Sequence, residues 1–270
     1  MHTRVNGKAP GFVAIGTQSL NPRRLRPYNT AAGCLHLASA VAIGALSNAL
    51  SMTVYAAPLT GPPASGAVPV PRPLFEVSFR AVLATFFALS SFAHFIVAGP
   101  CWVSYTGYLE ERQNPYRWAE YSVSSSLMIV LIALLTGISD IAALIGLFGA
   151  NASMIGFGWL QERYAPPGSH QWGPFLAGCG AGAAPWVAIF VYLCTPGAAA
   201  RVPGFVWAIY GSLFTCFNIF ALNQFAQFSE RGRWRDYIFG EYAYITMSIV
   251  AKSLLAWQIY ASALASSLVN

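Results

Sequence analysis

Long apolar runs alternate with short polar breaks along the whole chain. Seven runs, at residues 29–55, 75–105, 118–137, 141–160, 172–195, 204–228 and 237–268, reach the roughly 20 residues that a helix needs to cross a bilayer. The breaks carry the stop signals. Residues 56–73 hold Pro58, Pro62, Pro63, Pro69, Pro71 and Pro73, which exclude a helix or a central strand and leave 65–70 free to pair only as an edge strand. Glu110, Glu111 and Arg112 follow the second run, and Asn114-Pro115 then opens a helix, with Asn as cap and Pro in the first turn. Only the turn at 136–140 separates the third run from the fourth, so six spans is the alternative count. No internal repeat is evident.

Composition agrees with the pattern. The 270 residues are 56% hydrophobic and 9% charged, with a mean hydropathy of +0.52. That is the composition of a membrane protein rather than a soluble domain. The net charge of +6 raises the question of nucleic acid, and its distribution answers it. On one side of the predicted spans lie Arg4, Lys8, Arg23, Arg24, Arg26, Arg112, Arg117, Arg163, Arg231, Arg233 and Arg235; on the other lie Arg72, Arg80 and Arg201. This asymmetry predicts a cytoplasmic N-terminus and, with seven spans, an extracellular C-terminus in the cell membrane. A six-span count would scramble it. The expected architecture is all-α, a seven-transmembrane-helix bundle. Residues 1–27 form a basic cytoplasmic tail, unordered or lying on anionic lipid, without the layout of a cleavable signal peptide. Residues 28–270 form the membrane domain, with an external loop at 56–74. The five cysteines are odd in number, form no CxxC motif and read as small core residues.

Against this apolar background the few ionisable groups inside the spans stand out. Lys252 is the single Lys or Arg within the last run, and an ionisable residue at that depth is costly enough to imply a function. A desolvated lysine is also suited to form a Schiff base with a carbonyl compound. Ser248 lies four residues before it, on the same helical face. Glu120 in the third run is the natural counter-charge, and His36 and His94 are the remaining intramembrane candidates. Depth strains the pairing: Glu120 lies about 8 Å beyond Pro115, whereas Lys252 lies about 15 Å beyond Tyr242 at 1.5 Å per residue. The two meet only if the third helix starts below the membrane surface or the lysine reaches back. Bland alternatives stay open. Lys252 and Glu120 form a structural ion pair in one reading, His36 and His94 are hydrogen-bonded core residues in another, and Trp257 is placed either to wall a ligand or to serve as belt and packing.

The run Asn114-Pro-Tyr-Arg-Trp-Ala-Glu-Tyr-Ser-Val-Ser-Ser-Ser126, the run Ser248-Ile-Val-Ala-Lys-Ser-Leu-Leu-Ala-Trp257 and the run Phe217-Asn-Ile-Phe-Ala-Leu-Asn-Gln224 resemble the heliorhodopsins, retinal-binding seven-helix proteins of inverted topology. The resemblance extends from about Tyr28 to the C-terminus. It implies all-trans retinal bound to Lys252 as a protonated Schiff base, with Glu120 as counterion and Ser248 adjoining. His36 and His94 would share a polar, hydrated cavity that influences the fate of the proton. Tyr121 and Ser124, within the first motif, Asn151, Met154, Ile155, Phe217 and Gln224 match positions around the chromophore, and Trp257 closes the Lys252 motif. The resemblance also implies a homodimer to which the first external loop contributes strands.

The expected function is therefore light sensing without net ion pumping and without enzymatic activity, the signal passing to a cytoplasmic partner. Type-1 pumps carry a second carboxylate about three turns after the counterion; here that position is Leu131. They also carry an Asp four residues before the lysine, where this chain has Ser248. Three other readings compete. One is a light-driven proton or ion transporter on the same chromophore. Another is an intramembrane metal hydrolase built on His36, His94 and Glu120, which supplies barely enough ligands and leaves Lys252 unexplained. The last is a scaffold without retinal.

Overall fold

The computed structural model describes residues 21–46, 50–62, 66–195 and 202–269, with side chains described as far as 262. Residues 1–20 of the expected tail lie outside the described residues. The rest of that tail opens the first helix: Asn21 caps a 3-10 turn, Pro22–Arg24, which runs into α1, Leu25–Leu46. Proline at position 27 is tolerated because the first turn of a helix has no carbonyl partner for its nitrogen.

The expected first span ends nine residues early. After α1 the chain turns into a two-stranded antiparallel hairpin, β1 Ser51–Ala56 and β2 Arg72–Ser78. Thr53, Val54 and Tyr55 favour the extended backbone. The strand expected at 65–70 is displaced to β2, with no strand at 66–70. Pro73 sits inside β2 opposite Tyr55, where the register shifts. A bulge in an edge strand is where a residue without an N–H is accommodated. Tyr55 N–H also donates to Ser139 at 2.9 Å, tying the hairpin to the turn that follows α4.

Ser78 caps α2, Phe79–Ala98. The expected second span, to residue 105, is broken at Gly99-Pro100, because proline clashes with the preceding turn and disfavours helical backbone at the residue before it. A short separate helix follows, α3, Trp102–Glu110. Then come α4 Pro115–Leu135, α5 Ile141–Tyr164, α6 Gly173–Cys194, α7 Gly204–Phe228 and α8 Tyr237–Val269. Asn114 caps α4 by accepting from Arg117 N at 3.1 Å, and Pro115 occupies its first position, as expected. Asp140 caps α5 through Ala142 N and Ala143 N, and Gly137 with φ 93° turns the chain between them. The 136–140 turn thus separates two full helices.

Seven long helices result among the described residues. Among the described residues, six are long and apolar enough to cross a membrane. The seventh, α8, is the longest at 33 residues, and its composition is diluted by Glu241, Lys252 and Gln258. The helices close a ring in which α1 packs on α2 and α8, α2 on α4, and α4 through α8 each on the next. Helix α4 also touches α6 and α7, and much of its length is buried, from Arg117 to Leu134. Large apolar side chains such as Val41, Phe92, Ile145, Leu176, Val187 and Leu222 point outward, as lipid-facing residues do. Apolar burial drives little association between helices in lipid, so close packing and internal polar contacts hold such a bundle together. The hairpin and the α4–α5 turn mark one end. The starts of α1, α4 and α8, with Arg112, Arg231, Arg233 and Arg235, mark the other, basic end.

Candidate functional site

Lys252 lies inside this ring, 3% exposed. Its Nζ donates to Glu120 Oε1 at 2.7 Å and to Ser90 Oγ at 2.5 Å. Ser90 Oγ in turn donates to Glu120 Oε1 at 2.6 Å. Three helices, α2, α4 and α8, thus meet in a closed triangle of one cation, one carboxylate and one hydroxyl. The Lys252 ammonium also stands 5.5 Å from the centroid of the Tyr121 ring, within cation–π range. A buried pair of this kind depends on such extra partners, because desolvation of the two ions consumes most of their attraction.

The depth strain resolves in favour of the lysine reaching back. Asn114, just before α4, donates through Nδ2 to Glu241 Oε2 of α8 at 2.7 Å. From that level Glu120 is six residues on and Lys252 eleven, a difference of about 8 Å at 1.5 Å per residue. Side chains on a helix tilt towards its N-terminus, so an extended lysine stem closes the gap.

On one side of the triangle lies a largely apolar cavity with about 680 Å³ of atom-free space, its mouth included. Its walls come from α4, α5, α7 and α8 and include Tyr121, Ser124, Met154, Ile155, Phe217, Gln224, Ser248 and Lys252 of the expected set, together with Trp118, Met128, Phe220 and Tyr244. Gly158 makes room: a Cβ there would come within 2.8 Å of the Trp118 ring. Gln224 Nε2 donates to Gly158 O at 2.8 Å, fixing α7 against α5. Asn151 stands just behind the wall, donating to Ser125 and Ser126. The lining, aromatic and apolar with one amine at its edge, has the chemistry that an apolar aldehyde such as retinal requires.

Trp257 is not part of this site. It is 43% exposed and packs edge-on against Tyr260. Five residues beyond Lys252 is well over a full turn, so its side chain leaves the Lys252 face.

On the other side of the triangle is a smaller polar cavity. Its polar lining is Ser90, His94, Glu120, Tyr121, Asn29, Tyr105, Asn114, Tyr116, Arg117 and Glu241, and Ala93, Val97 and Ile245 complete the wall. His94 Nδ1 pairs with Asn29 Oδ1 at 2.8 Å. His36, 1% exposed, stacks on His94 with centroids 5.4 Å apart and planes 10° from parallel, and its Nε2 has no hydrogen-bond partner. Both expected histidines therefore come together beside the Lys252–Glu120 pair. Among the described residues, no three His, Cys, Asp or Glu groups gather as they would to hold a metal ion.

Sequence reasoning misses two parts of this region. Ser90 precedes His94 by four residues and so shares its face, a spacing that could have singled it out. Arg117 and Glu162 read as loop and helix-end charges, yet both are buried. Arg117 pairs with Glu162 at 2.6 Å and also with Glu241, and it lies over the Trp118 and Tyr244 rings at 4.6 and 4.0 Å. Glu162 further accepts from Asn114 N at 2.9 Å, Trp118 Nε1 at 2.5 Å and Tyr237 Oη at 2.8 Å. Nothing in the spacing announces this cluster, because its members come from three helices.

A search of curated proteins finds no match. The heliorhodopsin family profile, by contrast, matches residues 25–264, which takes in every described element from α1 into α8. The chain belongs to the heliorhodopsin family of retinal-binding, light-responsive membrane rhodopsins.

Proposed function

We propose that this protein is a light sensor in which Lys252 holds retinal covalently and Glu120 is the counterion. The observation that carries the reading is the placement of a buried lysine at the wall of an aromatic cavity, 2.7 Å from a buried carboxylate. Retinal, bound there as a protonated Schiff base, supplies photoisomerisation. The chain does the rest. Tyr121, Phe217, Phe220 and Tyr244 confine the polyene. Glu120 and Ser90 hold the proton at the lysine nitrogen by charge and by hydrogen bonding. His94, on which His36 stacks, and Asn29 line the polar cavity into which that proton can move. A change of charge at Lys252 then alters the balance of a fully buried network, which is how a local event biases the packing of helices.

Membership in a photoreceptor family and the buried Leu131, an apolar residue where a relay along α4 would need a second carboxylate, support sensing rather than net transport. The clustering of Arg112, Arg231, Arg233 and Arg235 at one end supports a cytoplasmic N-terminus. The same surface is the natural place for a cytoplasmic partner. The β1–β2 hairpin, with Leu74 and Phe75 exposed, supports a homodimer joined at the opposite end.

The test is the visible absorption of membranes carrying the protein with added all-trans retinal, beside Lys252→Ala. A visible band in the first and none in the second is the expected result. No band in either would return Lys252 and Glu120 to a purely structural ion pair.

A further inference from the structure

The Arg117 cluster separates two cavities. The polar cavity described above joins Glu120 to Glu241. A second cavity, lined by Arg112, Glu162, Gln227, Trp234, Arg235 and Tyr237, lies at the basic end, where Arg112 and Arg235 are exposed. Glu162 belongs to the outer cavity, Glu241 to the inner one, and Arg117 stands between them, in contact with both.

The two carboxylates are not equivalent. Glu162 accepts from four donors on three residues of α4's first turn and its cap, and on Tyr237. Glu241 has only Asn114 Nδ2 and Arg117. Among the described buried groups of the two sites there are two cations, Arg117 and Lys252, and three carboxylates, Glu120, Glu162 and Glu241. Lys252 is matched by Glu120, whereas Glu162 and Glu241 share the one guanidinium of Arg117. The region therefore holds one carboxylate more than it has cations; Glu241, 1% exposed and with fewer donors than Glu162, is the less well compensated of the two, and such charge at that depth is costly.

The geometry points to Glu241 as the group that takes up the proton released from the Lys252–Glu120 pair and later returns it. This rests on the function proposed above for those two residues. The N–H bond at the Lys252 nitrogen breaks and its electron pair stays on nitrogen. A carboxylate lone pair of Glu241 forms the new O–H bond, and hydrogen-bonding groups along the polar cavity each give one proton and take one. Nothing is oxidised or reduced. The polar groups that share that cavity with Glu241 are Asn29 of α1, Ser90 and His94 of α2, Tyr105 of α3, Asn114 at the α4 cap, and Tyr116, Arg117, Glu120 and Tyr121 of α4. His94 is the competing acceptor: its Nδ1–H donates to Asn29 Oδ1, which leaves the lone pair on Nε2, but protonation there gives no carboxyl band, so infrared spectra separate the two acceptors. Arg117 opposes passage of a proton onward to the outer cavity by like charge. The proton therefore leaves and returns along one route, which gives a charge signal at the basic end of the bundle with no net transport.

Light-induced infrared difference spectra of the retinal-bound protein test this directly. A protonated-carboxyl C=O band should rise as the Lys252 nitrogen loses its proton, and it should be lost in Glu241→Gln while the visible pigment is retained. Persistence of the band in Glu241→Gln would overturn the assignment, as would a pigment that deprotonates with no such band in either protein. The retinal-free protein gives a second readout: on acidification the first carboxyl band to appear should be absent from Glu241→Gln and present in Glu120→Gln. An unchanged first band in Glu241→Gln would overturn the proposal whether or not retinal binds. If wild type forms no pigment and yet this titration behaves as expected, the retinal reading alone has failed.

Discussion

Asn114 and Glu241 stand side by side, the asparagine amide donating to the carboxylate at 2.7 Å, and this contact sets the register of α4 against α8. Asn114 also caps α4 through Arg117 N and presents its own N–H to Glu162. One residue thereby fixes where the helix bearing Glu120 begins and how it stands beside the helix bearing Lys252. Asn114→Ala keeps the backbone bond and loses both side-chain bonds. Loss of a helix cap costs about 0.5–2 kcal/mol, and an unpaired buried acceptor on Glu241 adds about 1–3 kcal/mol. The expected outcome is a clearly lower melting temperature in detergent, with a shifted visible band because the Glu120–Lys252 register is loosened. An unchanged melting temperature would mean that α4 is positioned by other contacts.

Glu120→Gln and Lys252→Met should each destabilise the retinal-free protein, while the double variant should be closer to wild type than either. Removing one partner of a buried pair leaves an uncompensated charge and costs about 3–5 kcal/mol, whereas replacing both removes the penalty together with the attraction. Thermal unfolding of the four proteins without retinal gives the coupling as a double-mutant cycle. Additive losses would show that the two side chains do not depend on each other.

Much of this site is legible in the sequence because membrane composition makes ionisable residues conspicuous. Lys252, Glu120, His36 and His94 stand out for that reason, and the structure gathers all four around one junction. Arg117, Glu162 and Glu241 do not stand out, because they lie near the ends of their apolar runs, where a charge is ordinarily solvated or meets lipid headgroups. Only the arrangement of α4, α5 and α8 shows that these ends turn inward. The hairpin is hard to read for another reason. Ser51–Ala56 is apolar enough to continue a span, and whether the run ends in helix or strand is decided by its partner β2 and by Ser139, both distant in sequence. Trp257 misleads by proximity in sequence, since five residues along a helix point elsewhere.

Ser90→Ala should shift the visible band without abolishing it. Ser90 accepts from Lys252 and donates to Glu120, so its loss weakens two charge-assisted contacts and leaves the ion pair standing. Such bonds are worth about 1.5–3 kcal/mol each, and their removal changes the electrostatics at the nitrogen less than removal of the carboxylate does. The measurement is the absorption maximum of Ser90→Ala beside Glu120→Gln. A shift as large as that of Glu120→Gln would make the hydroxyl, rather than the carboxylate, the dominant local influence.

Gly158→Ala tests whether the aromatic cavity is the chromophore site. The added methyl would lie 2.8 Å from Trp118 and 3.3 Å from Gln224 Oε1. Trp118 has little freedom to yield, because its Nε1 is bound to Glu162 at 2.5 Å and its ring packs against Arg117 and Tyr244. The strain is then relieved by moving Trp118 into the cavity or by separating α5 from α4, and overpacking of this kind costs about 1–3 kcal/mol. Either movement changes the space next to Tyr121, Ile155 and Tyr244, which line the cavity. The expected result is a lower pigment yield from the same amount of protein, together with a shifted absorption maximum. Gly156→Ala is the control, since a methyl there meets nothing within 4 Å. Wild-type pigment from Gly158→Ala would move the chromophore away from this wall, and an equal loss in Gly156→Ala would trace the effect to α5 as a whole.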